Sequence, residues 1–315
     1  MSILQRDLKD TRKLSRILSL VENRQKGYTE ILKECFLLSG KSKVIGITGP
    51  PGAGKSTLTS TLIGHLRKEG ACVAVLAIDP SSSFSGGAIL GDRIRMLNHS
   101  LDTKVYIRSA ATRGAMGGLC PAASDMITVL DAAGFDYILV ETVGVGQDEI
   151  DVVRETDTVL LVLVPGLGDD IQALKAGIME IADIFVVNKS DREGSNKLVN
   201  EIEYILSLSQ SKKEWNPPVL KTVASKNEGI NELIFEIKKH LNFLESTSLL
   251  AEKRKTRAAL KLRRLLLEGL ENRIRNGPLK SEEERKLMEA FLRKEKDPYS
   301  VAEEIVESVI LEELQ

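Results

Sequence analysis

The segment Gly49-Pro50-Pro51-Gly52-Ala53-Gly54-Lys55-Ser56-Thr57 limits what this chain can become more than any other. It fits the spacing G-x-x-x-x-G-K-[ST] of a phosphate-binding loop. Its flanks agree: Lys43 to Thr48 reads as a buried strand, and Leu58 to Leu66 has helical spacing. Glycines let the backbone curl so that its N–H groups point inward at phosphate oxygens, and the helix N-terminus adds partial positive charge. In such a loop Lys55 reaches the β- and γ-phosphates, and the Ser56 hydroxyl ligates Mg2+.

The loop needs a strand and a helix around it, and the sequence supplies more of both. Short β-branched runs at Val44–Thr48, Ala71–Ile78, Lys104–Ile107, Tyr137–Val140, Thr158–Val164, Ile184–Asn188 and Val219–Val223 alternate with helical stretches. That alternation predicts an α/β fold of the P-loop NTPase kind, with a mainly parallel, twisted sheet covered on both faces. Ligands then sit beyond the carboxyl ends of the strands. Helical extensions flank the sheet. Before it, Leu14, Ile17, Leu18 and Val21 form one apolar stripe and Ile31, Leu32 and Cys35 another, with Gly27 and Gly40 as punctuation. After it, a helical run opens at Ala251 and breaks at Gly277-Pro278. A second starts at Ser281, and a last one runs from Val301 to Leu314. The expected division is 1–40 (helical), 41–245 (nucleotide domain) and 246–315 (helical arm).

Composition removes several function classes. The 44 basic and 45 acidic side chains leave a net charge of −1, so no global field draws in nucleic acid or anionic membrane. Aromatics at 4% are too few for base-stacking surfaces. Apolar runs such as Thr158 to Val164 are too short to span a bilayer, and the N-terminus lacks a signal-peptide core. Cys35, Cys72 and Cys120 are odd in number and far apart, which argues against a disulfide framework. The expectation is a cytoplasmic protein with neither a nucleic-acid nor a membrane partner.

Asn188-Lys189-Ser190-Asp191 fits an Asn-Lys-x-Asp box that reads guanine. An aspartate carboxylate accepts from guanine N1–H and the 2-amino group; adenine lacks that pair of donors, so a site built on it rejects adenine. Val223, Ala224 and Ser225 follow the next strand, where a backbone loop closes over the base. Glu141, after the strand Tyr137–Val140, suits a Mg2+ site. Asp79 and Asp92 are further candidates for Mg2+ or its water. Arg113, Gln147, Asp169, Gln172 and Lys175 lie on candidate switch or partner loops. Val145 occupies the place where many small GTPases carry a water-orienting Gln. His65, His99 and His240 show no ligand spacing and read as structural.

Together these segments resemble the MeaB/ArgK family of GTPases. The likeness rests on Gly49–Thr57, Asp79-Pro80-Ser81-Ser82, Ser85-Gly86-Gly87, Leu90–Arg93, Thr112-Arg113-Gly114, Glu141–Gln147, Gly168-Asp169 with Gln172 and Lys175, and Lys189-Ser190-Asp191. The chain departs from that pattern at Val223-Ala224, where the family often has Ser-Ala, and at Ala111, where Pro is common. The resemblance implies a G-protein chaperone with GTP/GDP and Mg2+ as cofactors. It would gate adenosylcobalamin loading into methylmalonyl-CoA mutase or a related acyl-CoA mutase, and form homodimers through its C-terminal helices. It also implies catalytic roles for Lys55, Asp92 and Glu141. Rival readings are a metallochaperone GTPase for nickel or cobalt, disfavoured by the lack of a His- or Cys-rich tract, and an ATP-using kinase, disfavoured by Asp191. A third is a nucleotide-locked scaffold that never turns over.

Overall fold

The computed structural model describes residues 3–79, 99, 101–111, 121–142, 154–166, 178–208, 214–276, 282–301 and 303–304, with the backbone alone at 3, 79, 111, 121, 178, 273–276, 282–285 and 288. Two compact units divide the chain, Met1–Leu250 and Ala251–Gln315.

The first unit is built on a seven-stranded sheet. Its strands are β1 (Lys43–Thr48), β2 (Val73–Asp79), β3 (Val105–Ala111), β4 (Tyr137–Thr142), β5 (Thr158–Leu163), β6 (Ile184–Val187) and β7 (Val219–Lys221). They run in the order β3-β2-β4-β1-β5-β6-β7, and every pairing is parallel. These are the strands that the β-branched runs predict. β4 and β5 are buried along their whole length, as near-continuous apolar runs such as Thr-Val-Leu-Leu-Val-Leu require.

Alternation along the strands sends side chains to two faces. On one face α4 (Lys55–Lys68) and α8 (Ile230–Ser246) cover Ile45, Ile47, Val75, Leu139, Leu160 and Val162. On the other, α2 (Thr11–Glu22), α3 (Tyr28–Leu38) and α5 (Pro121–Ala133) cover Val44, Leu76, Ile138 and Val140. The short α1 (Ile3–Asp7) precedes them. Beside them α6 (Ile178–Ile181) and α7 (Ser195–Leu208) cover Leu161, Leu163, Phe185 and Val187. The stripe of Leu14, Leu18 and Val21 is buried, so the N-terminal helices are part of the sheet's own core.

α8 is fastened to the sheet by a polar tie. His240 is buried and bonds Thr158 Oγ1 through Nδ1 at 2.8 Å; its Nε2 lies 3.4 Å from Asp183 Oδ1. Trp215 covers the ring at 4.7 Å between centroids. Threonine, histidine and aspartate in that order resemble a hydrolytic triad, but the Thr158 hydroxyl has no access to solvent, and the arrangement is structural. His65 and His99 are likewise bonded to protein groups, Asn227 Oδ1 and Ser60.

The second unit holds most of the long α9 (Leu249–Asn276) and α10 (Glu282–Leu292). No described helix is long and apolar enough to cross a membrane.

Candidate functional site

β1 ends at the centre of the sheet, between β4 and β5, and α4 starts seven positions later at Lys55. The chain must reverse inside that gap. Gly49, Gly52 and Gly54 all take positive φ, at 141°, 78° and 87°. At Gly49 a Cβ would lie 2.0 Å from the Val162 carbonyl oxygen, and at Gly54 one would lie 2.5 Å from the Asn188 amide nitrogen. Only glycine meets both conditions, the backbone conformation and the close approach. Gly54 is the N-cap of α4, and no side chain caps the helix. The loop therefore presents backbone and a helix N-terminus, the arrangement that receives an anionic group.

Lys55 and Ser56, the first residues of α4, are both buried. Lys55 Nζ donates to the carbonyls of Gly49 at 2.6 Å and Pro50 at 3.0 Å, so the ammonium lies folded along the inside of its own loop. Glu141 sits in β4 opposite Ile47 of β1. Its side chain shares a face with Leu139, the face that α4 covers. There Ser56 Oγ donates to Glu141 Oε1 at 2.6 Å and Thr59 Oγ1 donates to Oε2 at 2.7 Å. Both carboxylate oxygens of a side chain only 1% exposed are thus held by hydroxyls. Thr59 is not in the phosphate-loop pattern; its signal is the helical spacing of three from Ser56. A second hydroxyl pair, Thr142 to Thr48 at 3.1 Å, joins the same strand ends. The Asp79 backbone lies at the end of β2, two positions beyond the partner of Glu141. Asp92, Arg113, Gln147, Asp169, Gln172 and Lys175 lie outside the described residues.

The other half of the site is tied to the loop by direct bonds. Asn188 Nδ2 donates to the Ala53 carbonyl at 2.8 Å, while its Oδ1 accepts from Thr222 Oγ1 and the Ala224 N–H, each at 3.1 Å. The sequence pattern groups Asn188 with base recognition; in the structure its buried amide clamps the phosphate loop, the β6 end and the β7 end together. Lys189, at φ 53°, donates from Nζ to the Gly52 carbonyl at 2.7 Å. Ala224 to Lys226 form a 3-10 turn, with Val223 and Ala224 buried and Ser225 exposed. Thr61 Oγ1 of α4 donates to the Ala224 carbonyl at 3.2 Å. Asp191, exposed beside this turn, accepts from Lys226 Nζ at 2.9 Å. The bond from Lys226 holds the Asp191 carboxyl below the usual carboxylate range, and the lysine is raised by the same contact. Nothing in the pattern singled out Lys226.

The residues suit a nucleotide with Mg2+. The glycine contacts leave room for backbone alone at the loop, and hydroxyl and carboxylate oxygens meet beside it. Mg2+ uses one or two carboxylates together with phosphate oxygens and water, in place of an all-protein cage. Among the described residues no three His, Cys, Asp or Glu side chains gather as a cage of that sort would require.

A protein-family model described as "Methylmalonyl Co-A mutase-associated GTPase MeaB" matches residues 14–278. The chain belongs to the MeaB family. A putative GTPase of Pyrococcus abyssi (strain GE5 / Orsay) is 49% identical over 304 residues, which is 96% of this chain and 94% of that protein. The mitochondrial methylmalonic aciduria type A homolog of Mus musculus is 37% identical over 238 residues, 74% of this chain and 57% of its own. A crystal structure titled LAO/AO transport system kinase superposes with a TM-score of 0.69 at 26% identity, covering 97% of this chain and 96% of that one. MeaB membership makes this a P-loop GTPase fold with a guanine-nucleotide site.

Proposed function

We propose that this MeaB-family protein is a Mg2+-dependent GTPase that serves as a chaperone for an adenosylcobalamin-dependent acyl-CoA mutase, methylmalonyl-CoA mutase being the first candidate. The observation that carries the nucleotide part is the clamp at Asn188 and Lys189, which brings the Asp191 segment and the phosphate loop onto one rim. The family description carries the mutase part. Cytoplasmic location and a homodimer joined through the C-terminal helices complete the reading.

Bound Mg2+ supplies positive charge to the terminal phosphoryl group and its leaving oxygen. Ser56 and Glu141 would hold it, with Asp79 and Asp92 as further ligands of metal or water. Lys55 exchanges loop carbonyls for phosphate oxygens. Gly49 to Thr57 line the phosphates, Asp191 accepts from guanine N1–H and the 2-amino group, and Val223 to Ser225 close over the base. Asn188 keeps these segments in register. Arg113, Gln147, Asp169, Gln172 and Lys175 are assigned to the switch and mutase-contact loops.

Phosphoryl transfer relies on positioning and charge, and Val145 leaves no glutamine at the water-orienting place. Turnover by the isolated protein is therefore expected to be slow, roughly 10⁻⁴–10⁻² s⁻¹, as for unassisted GTPases. Competition binding of GTP against ATP, single-turnover hydrolysis with and without a purified mutase, and co-purification from native cells with nucleotide present test the reading. ATP competing as well as GTP, or many GTP turnovers per second by the protein alone, would overturn the nucleotide part. A mutase that alters neither hydrolysis nor nucleotide affinity would overturn the partner.

A further inference from the structure

Lys226 stands where the base-recognition loop and the Asp191 segment meet. Its ammonium is 2.9 Å from Asp191 Oδ2, with the lysine 56% and the aspartate 41% exposed. A pair so open contributes little to folding stability, because water screens it and the long lysine side chain loses freedom. A stabilising role does not account for its placement. The backbone on both sides is fixed. Lys226 closes the 3-10 turn, with its N–H on the Val223 carbonyl at 2.9 Å and Asn227 left-handed behind it at φ 61°. Val223 bridges Glu228, and Gly229 packs so closely on Lys221 that a Cβ would lie 2.1 Å from its carbonyl oxygen. On the aspartate side, the Ser190 N–H bonds the Thr222 carbonyl at 3.0 Å. Donor and acceptor thus hang from one frame, the frame that Asn188 clamps to the phosphate loop.

We infer that Lys226 is a positioning residue for base recognition, holding the Asp191 carboxylate so that both of its oxygens meet the two guanine donors at once. The inference rests on the guanine-nucleotide reading above. Each carboxylate oxygen has two acceptor positions, so an ammonium on Oδ2 leaves another position on that oxygen for a base. Without the lysine, an exposed aspartate rotates about χ1 and χ2, and ordering it at binding costs affinity.

The test compares the wild-type chain with Lys226→Ala and Lys226→Arg by calorimetric titration with GTP, ITP and ATP. Inosine lacks the 2-amino group, so the GTP/ITP ratio reads the second Asp191 contact alone. Lys226→Ala is expected to weaken GTP by about 3- to 10-fold. ITP should fall less, lowering the ratio, while the melting temperature stays within about 2 °C. Lys226→Arg should restore the ratio. An unchanged ratio in Lys226→Ala would overturn the inference. Tighter GTP binding in that variant would also overturn it, since the lysine would then be a competitor for Asp191. Failure of the underlying reading shows elsewhere, in a wild-type chain that does not prefer GTP over ATP.

Discussion

Asp191 and Asn188 sit three residues apart and do different work. The Asn188 amide is buried and its bonds go to Ala53, Thr222 and Ala224, whereas the Asp191 carboxylate stands at the rim with Lys226. Their substitutions should therefore separate. Asp191→Asn replaces two acceptors by one acceptor and one donor. Guanine then faces its 2-amino group with an N–H, while xanthine, with a 2-oxo group, gains a match. The expected outcome is GTP weakened by at least about tenfold and xanthosine triphosphate bound more tightly than GTP, read by competition titration. Unchanged GTP preference would remove Asp191 from the base site. Motif spacing singled out the glycines, Lys55, Ser56 and Asp191 as candidates and a strand end singled out Glu141; the structure brings Ser56 and Glu141 into contact beside the glycine loop. Thr59 and Lys226 stand in no motif, and helical spacing from Ser56 was the signal available for Thr59. Their partners are 82 and 35 residues away, and only the folded sheet brings them together.

At the scale of elements, the strands were the most readable part. A doubly covered parallel strand must be apolar along its whole length, and the runs at β4 and β5 satisfy that on their own. How the N-terminal helices dock was less readable, since it depends on long-range ties. Arg108 of β3 donates to Glu22 and to Ser19 of α2 in a seam where the ionic side chains are 14% and 10% exposed. α3 buries Cys35 in the same apolar cluster, and burial pushes its thiol up to about 11. The thiolate is the reactive form, so Cys35 should alkylate only when the helices lift from α5. Glu22→Ala leaves a guanidinium in that seam without its carboxylate. A cost of about 2 kcal/mol would raise the opening population roughly thirtyfold. Peptide mapping after timed iodoacetamide labelling should show Cys35 slower than the half-buried Cys72 in the wild type and accelerated in Glu22→Ala. Equal Cys35 rates in the two proteins would show that the seam does not hold the helices down.

At the scale of the whole molecule, every described site residue, from Gly49 to Lys226, belongs to the unit that ends at Leu250. The remaining unit has a different surface. In α9, Leu260, Leu262, Leu265, Leu266, Leu267 and Leu270 are each at least 50% exposed, and Leu262, Leu266 and Leu270 recur every fourth residue along one side of the helix. An apolar row of this kind marks an interaction surface. The proposed homodimer uses it, and the two units predict separable behaviour. A chain ending at Leu250 should bind GTP within about threefold of the full chain, a difference under roughly 0.7 kcal/mol. Sedimentation equilibrium should give a dimer for the full chain and a monomer for the shortened one. A shortened chain that still dimerises would move the interface to the sheet-bearing unit. One that folds, by circular dichroism, but loses GTP would mean that the C-terminal unit completes the nucleotide site.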